Sequence, residues 1–171
     1  EQYHAPTKNE SHTLSTPWTF WFDSGKSSER STSQISCGEQ LKTVSTIEGF
    51  WGFYDNFPNI TSVMMGSDSY FFRDKIMPKP TDENNKDGGK ILILYEMKTQ
   101  EQKENIEQMW CKLLCYCIGE IFSDKIVNGV QFSMRSQAKI SIWLKTNDMK
   151  RVTTFVEDFK NEFGADRKSV V

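Results

Sequence analysis

The chain has 171 residues, 37% of them hydrophobic, and its 21 basic and 23 acidic side chains leave a net charge of −2. This length fits one domain with a substantial core, and this charge excludes broad electrostatic capture of nucleic acid while allowing a small anion site. No apolar run approaches the roughly 20 residues that cross a bilayer, and the polar N-terminus lacks a secretory apolar segment. We therefore expect a cytoplasmic, monomeric domain with no membrane contact.

Aromatic and apolar residues mark the elements in the first half of the chain. Residues 1–14 are polar and predict a flexible N-terminal tail, followed by one domain over residues 15–171. Three runs rich in aromatic and β-branched residues predict strands, at 18–22, 35–44 and 67–73. The spacing from Ser45 to Glu48 matches a capping box and predicts a helix that ends near Tyr54.

The second half alternates clear strand and helix patterns. Both faces of the run that starts at Lys90 are apolar, which predicts a central strand. Apolar residues three or four apart predict an amphipathic helix over 100–119. Two further strands and a last helix are predicted, at 127–135, 138–145 and 148–163. Because two-residue connections such as Ser136-Gln137 join antiparallel neighbours, we expect an α+β fold, with helices on one face of a single antiparallel sheet.

The residues that catalysis or metal binding needs are not grouped in the sequence. A Ser-His or Cys-His pair requires a histidine near its nucleophile, and His4 and His12 both fall in the predicted tail. Gly88-Gly89-Lys90 lacks the other residues of a phosphate loop, and no histidine follows the cysteines at a zinc spacing. We therefore predict a binding protein without metal or cofactor rather than an enzyme, with its four cysteines as reduced thiols.

Period-two alternation gathers basic and aromatic side chains on one face of the last two strands. Lys139, Ser141 and Trp143 share a face, together with Arg135 from the preceding strand. The cluster of Arg135, Lys139 and Trp143 suits a phosphate and an aromatic base. A solvated face with extended basic side chains fits the same spacing, so both interpretations stay open.

The segment from Ile47 to Trp51 carries more large apolar surface than one side of a helix can bury. Ile47 and Trp51 are four residues apart and therefore lie together on one flank of the predicted helix. A surface tryptophan beside an aliphatic residue is typical of a docking hot spot. A tryptophan that belongs entirely to the core is the alternative.

Six segments in order resemble the translation initiation factor 4E family, which binds the 7-methylguanosine cap of messenger RNA. They are Trp18 to Phe22, Thr46 to Tyr54, Phe72 to Asp74, Asn85 to Lys90, Trp110 to Glu120 and Arg135 to Trp143. The resemblance implies a single curved antiparallel sheet with helices packed on its convex face. On the concave face of the family, two tryptophans sandwich the cationic base beside a glutamate. On the convex face, a 4G-type scaffold or a 4E-binding protein docks a Tyr-x-x-x-x-Leu-apolar helix.

The resemblance also assigns roles by position. Lys90, Arg135 and Lys139 match the bases that hold the cap phosphates, and Trp143 matches a tryptophan that contacts the methyl group. Six residues match the convex docking surface: Leu14, Ile47, Trp51, Cys111, Lys112 and Cys115. The family usually has leucines at the two cysteine positions and an acidic residue in place of Lys112. We therefore expect the partner's motif or its affinity to differ.

Two family tryptophans are missing from this chain. The first stacking tryptophan should fall near Gln34, but nothing between Asp23 and Thr43 is aromatic. The second tryptophan and its glutamate should fall at Pro80 and Thr81. Each base–aromatic stack contributes roughly 1–3 kcal/mol, so the loss of two weakens binding by roughly 30-fold to ten-thousand-fold.

Two hypotheses about function follow from these departures. The first is a 4E-like factor with weak or altered cap affinity, in which Asp82 or Glu83 replaces the carboxylate and a segment such as the one containing Tyr3 restores stacking. The second is an interaction or regulatory protein that keeps the convex docking surface and has lost cap recognition.

Overall fold

The computed structural model describes residues 11–26, 38–164 and 169–170. Its strands and helices follow the predicted order, with a short final strand added. They are β1 (Thr13–Asp23), β2 (Glu39–Thr46), α1 (Ile47–Tyr54), β3 (Asp68–Arg73), β4 (Gly89–Tyr95), α2 (Gln100–Ile118), β5 (Val127–Ser133), β6 (Ala138–Leu144), α3 (Met149–Phe163) and β7 (Ser169–Val170). A single 3₁₀ turn, Ile60–Ser62, lies between α1 and β3.

All seven strands form one antiparallel sheet in the order β2-β1-β3-β5-β6-β4-β7. Phe71 of β3 lies opposite Phe20 of β1 and Val130 of β5, and all three are buried in the main core together with the helices. The other face carries a smaller cluster of Tyr70, Phe72 and Trp143, to which no described helix contributes. The predicted α+β fold, with helices on one face of a single antiparallel sheet, is therefore confirmed.

Each of the two longer helices buries one apolar row, as the spacing predicted. The buried residues of α2 are Ile106, Met109, Trp110, Leu113, Leu114 and Cys117, and those of α3 are Phe155, Phe159 and Phe163. Each of the larger aliphatic and aromatic side chains contributes about 1.5–3 kcal/mol when fully buried. Among the described residues, no helix combines the length and the apolar character that a membrane span needs.

The predicted central position of β4 is wrong. This strand lies between β6 and the two-residue β7, near one edge of the sheet. Leu92 and Leu94 are 36% and 40% exposed because they lie on the face that the helices leave uncovered. Apolar residues on both faces therefore do not place this strand in the centre.

The predicted capping box before α1 is also wrong, although the helix itself is present. The hydroxyl of Thr46, not that of Ser45, accepts the Gly49 backbone N–H at 3.0 Å. Glu48 is instead hydrogen-bonded to His12. β1 begins at Thr13 and so includes the last two residues of the predicted tail, while residues 1–10 lie outside the described residues.

A largely buried ion pair joins two of the segments that carried the family resemblance. Arg73 Nη1 and Nη2 donate to the two carboxylate oxygens of Glu120 at 2.5 and 2.8 Å, and Arg73 Nε donates to the Val127 carbonyl at 2.7 Å. The guanidinium carbon also lies 4.7 Å from the centroid of the Trp18 ring. Because removal of one partner from a buried pair typically costs about 3–5 kcal/mol, this contact fixes the end of α2 on the sheet.

Candidate functional site

The helix-free face of the sheet brings the predicted cap-site residues together. Lys90 of β4 lies directly opposite Trp143 of β6, and Lys139 of β6 lies opposite Ser133 of β5. The intervening β6 residues Ile140 and Ile142 are buried in the main core on the other face, as the alternation predicted. We call Lys90, Arg135, Lys139 and Trp143, with Asp68 among them, the open-face site.

Trp143 is held tightly within this face and is only 5% exposed. Its ring packs edge-on against Phe72 at a centroid distance of 5.3 Å, and its Nε1–H donates to Gln131 Oε1 at 3.0 Å. Lys90 Nζ lies 3.6 Å from the centroid of the Trp143 ring, which is a cation–π contact. Gly129 makes room for Phe72, because a Cβ there would lie 2.3 Å from that ring.

Arg135 reaches the site from a connection rather than from a strand. β5 ends at Ser133, so four residues, 134–137, join it to β6 instead of the predicted two. Arg135 Nη2 donates to Asp68 Oδ2 at 3.0 Å, and Nη1 donates to the carbonyls of Ser67 and Met134 at 2.9 and 3.0 Å. The Asp68 carboxylate thus balances part of the Arg135 charge, and Lys90 and Lys139 carry most of the remaining positive charge.

The environment of Lys90 in the open-face site lowers its pKa. Burial lowers the pKa of Lys90, repulsion from Lys139 lowers it further, and Asp68 opposes both effects. A bound anion would offset that repulsion. Two neighbouring ammonium groups of this kind have the chemistry to hold a small negative group such as a phosphate.

The loop before β4 is firmly attached to β5. Asn85 is buried and its Nδ2 donates to the carbonyls of Met77 and Lys79 at 2.9 and 3.1 Å. Asn128 Nδ2 donates to the Asn84 carbonyl at 2.7 Å and to Asn85 Oδ1 at 2.9 Å. These bonds fix the segment that leads into Lys90.

The same loop carries the positions at which the family has its second stacking tryptophan and its glutamate. Pro80 and Thr81 are both exposed there. Burial acts to raise the pKa of Asp82, but hydrogen bonds from the Asn84 and Met77 backbone N–H groups lower the pKa overall. Through these hydrogen bonds the Asp82 carboxylate holds the loop together.

The remaining candidate replacements are placed elsewhere or lie outside the described residues. Glu83 is strongly exposed and pairs with Lys86 at 2.6 Å. The position near Gln34 and the possible stacking residue Tyr3 both lie outside the described residues.

The helix-covered side carries an apolar surface around α1. Ile47 is 40% exposed, whereas Trp51 is partly buried and packs edge-on against Phe50 and Tyr54 at centroid distances of 4.9 and 5.6 Å. Tyr54 in turn interacts with the thiols of Cys111 and Cys115 on α2. We define the docking surface as Ile47, Trp51, Tyr54, Cys111 and Cys115.

The Cys115 thiol of the docking surface is neutral at physiological pH. Burial raises the pKa of Cys115 to about 11, and its neighbour Cys111 raises it further. Burial also raises the pKa of the Tyr54 hydroxyl, and Cys111 again adds to the effect. Uncharged sulfur is apolar enough to replace leucine at such a surface.

Two residues assigned to docking by resemblance have other contacts in the fold. Leu14 is 8% exposed and belongs to the main core, so it offers little area to a partner. Lys112 Nζ donates to the Glu162 carbonyl at 2.6 Å and lies 4.6 Å from the centroid of the Phe163 ring. Because successive helical residues are rotated by about 100°, Lys112 faces α3 while Cys111 faces α1.

The sequence interpretation gave no site role to three residues beside these sites. His12 Nδ1 lies 2.6 Å from Glu48 Oε1, and its carbonyl accepts the Ile47 N–H at 2.8 Å, so His12 borders the docking surface. On the open face, Asp68 and Gln131 connect the predicted site residues. The alternation of Asp68 with Tyr70 along β3 is the signal that would have placed this carboxylate on the open face.

Comparisons with known proteins agree with the fold and with the family resemblance. Residues 13–171 match the family described as eukaryotic initiation factor 4E. The chain is 29% identical over 144 residues to eukaryotic translation initiation factor 4E of Dictyostelium discoideum, and the match covers 83% of this chain and 56% of that relative. The chain thus spans little more than half the length of that relative.

Two solved structures resemble the chain closely in shape. A complex of Ascaris suum eIF4E-3 with m7G cap has a TM-score of 0.77 at 25% identity, covering 95% of this chain and 97% of that one. A complex of C. elegans eIF4E-3 with the 4E-binding protein Mextli and a cap analog has a TM-score of 0.76 at 25% identity, covering 90% and 86%. With the family match extending over nearly the whole described fold, this chain belongs to the eukaryotic initiation factor 4E family.

Proposed function

We propose that this chain is a 4E-type factor with two unequal binding faces. Its open-face site holds the phosphates of capped messenger RNA and reads the methylated base weakly, while its docking surface binds an apolar helix of a 4G-type scaffold or a 4E-binding protein. The observation that carries the proposal is the grouping of Lys90, Lys139 and Trp143 on a face whose family stacking position holds Pro80.

The phosphate half of the proposal rests on the lysines. Lys90 and Lys139 repel each other in the free protein, and a phosphate chain would relieve that repulsion. Arg135 contributes less, because Asp68 already holds one end of its guanidinium. Hydrogen bonds that involve a charged group contribute about 1.5–3 kcal/mol, so two lysines suffice for weak, salt-sensitive binding of a nucleotide.

The base half of the proposal rests on what covers Trp143. The ammonium of Lys90 lies on its ring, and a 7-methylated guanine is itself a cation. A cationic base therefore meets a like charge at Trp143, the tryptophan that the resemblance assigns to the methyl group. Without the stacking pair, we expect little discrimination between methylated and unmethylated guanine.

The docking half of the proposal rests on an uncharged apolar surface. Ile47 is exposed beside the partly buried Trp51, and the partly buried Cys111 and Cys115 extend the surface along α2. An amphipathic helix that presents apolar residues at i, i+3 and i+4 fits such a surface. The structural relative solved with the 4E-binding protein Mextli supports this assignment.

A second candidate function is an interaction or regulatory protein that docks partners without recognising the cap. The contacts of Arg135 with Asp68 and of Lys90 with Trp143 favour it, since both bases already have partners in the free chain. The two candidates differ in one property. Only the first requires the open-face site to bind a nucleotide.

Titration with GTP at two salt concentrations separates these candidates. We expect measurable binding that weakens as salt rises, and we expect Lys139→Ala to reduce the affinity about five- to tenfold. Lys145→Ala, the same change just beyond the end of β6, is the matched control and should leave the affinity unchanged. Absence of GTP binding at low salt would favour the regulatory candidate, and equal losses in both variants would remove Lys139 from the site.

A further inference from the structure

We propose that Gln131 is a positioning residue that joins the phosphate end of the open-face site to its base end. This inference rests on the proposed function of the open-face site. Gln131 lies on β5 between Tyr70 of β3 and Ser141 of β6, in the middle of the open face. Its amide contacts one group from each end of the site, which are Trp143 and Asp68.

The orientation of this amide is determined by its partners. The indole Nε1–H of Trp143 can only donate, so the atom facing it at 3.0 Å is Oε1. The carboxylate of Asp68 only accepts, so the atom facing its Oδ1 at 3.0 Å is Nε2. A glutamine satisfies both contacts at once, whereas a carboxylate or an apolar side chain at this position satisfies at most one.

The contacts form a continuous chain of hydrogen bonds across the site. Arg135 donates to Asp68 Oδ2 at 3.0 Å, Gln131 donates to Asp68 Oδ1, and Trp143 donates to Gln131. Nε2 of Gln131 also lies 3.3 Å from Ser133 Oγ, which further restrains the amide. A phosphate that draws Arg135 toward itself therefore acts on the same carboxylate that holds Gln131 and, through it, the indole.

A binding experiment separates positioning from simple stability. In Gln131→Met, the Trp143 N–H loses its acceptor, so we expect the affinity for GTP to fall about five- to tenfold. The affinity for tripolyphosphate, which has no base, should change less than about twofold because all three basic side chains remain. Gln137→Met, the same change in the connection between β5 and β6, should alter neither affinity. Unchanged GTP affinity, or an equal loss for both ligands, would overturn the proposal.

A ligand-free measurement keeps this inference separate from the proposed function. The Trp143→Phe variant identifies the indole resonance of Trp143 in the ¹H–¹⁵N spectrum. Adding Asp68→Ala to the wild-type chain should shift this resonance, whereas adding it to the Gln131→Met variant should leave the resonance unchanged. The same displacement in both backgrounds, or none in either, would overturn the proposal. If Gln131→Met does not fold, Gln131→Asn serves in its place, since its shorter amide cannot reach both partners. A wild-type chain that binds neither GTP nor tripolyphosphate would contradict the proposed function, while the indole resonance would still decide the role of Gln131.

Discussion

Trp51 and Ile47, predicted together from their spacing, differ in how the fold uses them. Trp51 packs against Phe50 and Tyr54 and so supports the main core as well as the docking surface. Ile47 begins α1 and leaves much of its side chain in solvent. Trp51 therefore belongs partly to the core, its part in docking stays a prediction, and Ile47 gives the cleaner test of docking.

Ile47→Ala should weaken binding of a Tyr-x-x-x-x-Leu-apolar peptide without affecting the fold. Truncation of an exposed apolar anchor costs about 1–2 kcal/mol at an interface, or roughly five- to thirtyfold in affinity. Ile121 is 56% exposed and lies just beyond α2, so Ile121→Ala is a matched control. Calorimetric titration of the two variants measures the difference, and equal affinities would place the peptide elsewhere.

The contact between His12 and Glu48 makes the stability of the fold depend on pH. Hydrogen bonds from His12 lower the pKa of Glu48 from its ordinary 4.5 to about 2. Because the folded chain lowers this pKa, the contact stabilises the fold at pH above 4.5, and that stabilisation is lost as the pH falls toward about 2. We expect His12→Ala to return the pKa of Glu48 toward its ordinary value.

An NMR titration of the Glu48 carboxyl carbon measures this change. Thr13→Ala, at an exposed neighbouring position, should leave the titration of Glu48 as it is in the wild type. A Glu48 pKa that stays low in His12→Ala would show that other groups depress it.

At the scale of elements, the sequence predicted what its periodicity encodes and missed what depends on neighbours. The apolar row of α2 and the two faces of β6 were predicted because each follows from spacing within one segment. The edge position of β4 was not, because alternation assigns side chains to faces and says nothing about strand order. The α1 cap was assigned one residue early, since Ser45 and Thr46 are both good caps and the partner of Glu48 lies on another element.

The start of β4 depends on a close backbone contact at Gly88. A Cβ at this position would lie 1.8 Å from the Leu144 carbonyl oxygen, whereas a Cβ at Gly89 would meet nothing within 4 Å. Gly88→Ala therefore forces the backbone apart, and we expect it to lower the free energy of unfolding by about 1–3 kcal/mol. It should also weaken GTP binding, because Lys90 follows directly.

Gly89→Ala is the control for this prediction, and we expect stability and GTP affinity close to those of the wild type. Chemical denaturation and nucleotide titration of the two variants supply the comparison. If both variants were equally stable, the contact with Leu144 would not position the strand.

At the scale of the whole molecule, long-range polar pairs decide which predicted residues remain available. Arg135 and Asp68 are 67 positions apart, and Arg73 and Glu120 are 47 apart. No local sequence pattern predicts such pairs. The sequence therefore predicted the basic residues of the open-face site without their acidic partner, Asp68. The orientation of Lys112 toward α3 depends in the same way on a helix 50 residues away.

The two faces of the sheet then differ in how much of the family pattern they keep. The docking side retains Ile47 and Trp51, with Cys111 and Cys115 at the family's leucine positions. The open face retains basic residues at the family's phosphate-contacting positions, together with Trp143. Pro80 and Thr81, however, stand at the positions of the second stacking tryptophan and its glutamate. We propose that phosphate contacts, not base stacking, govern nucleotide binding on this face.

The most direct test of that claim is the ratio of the dissociation constants for GTP and 7-methyl-GTP, measured on the wild-type chain at one salt concentration. We expect a ratio below about 10, because a tenfold preference already requires about 1.4 kcal/mol that the phosphates do not supply. A ratio above about 100 requires roughly 2.7 kcal/mol from contacts with the methylated base, and it would contradict this account.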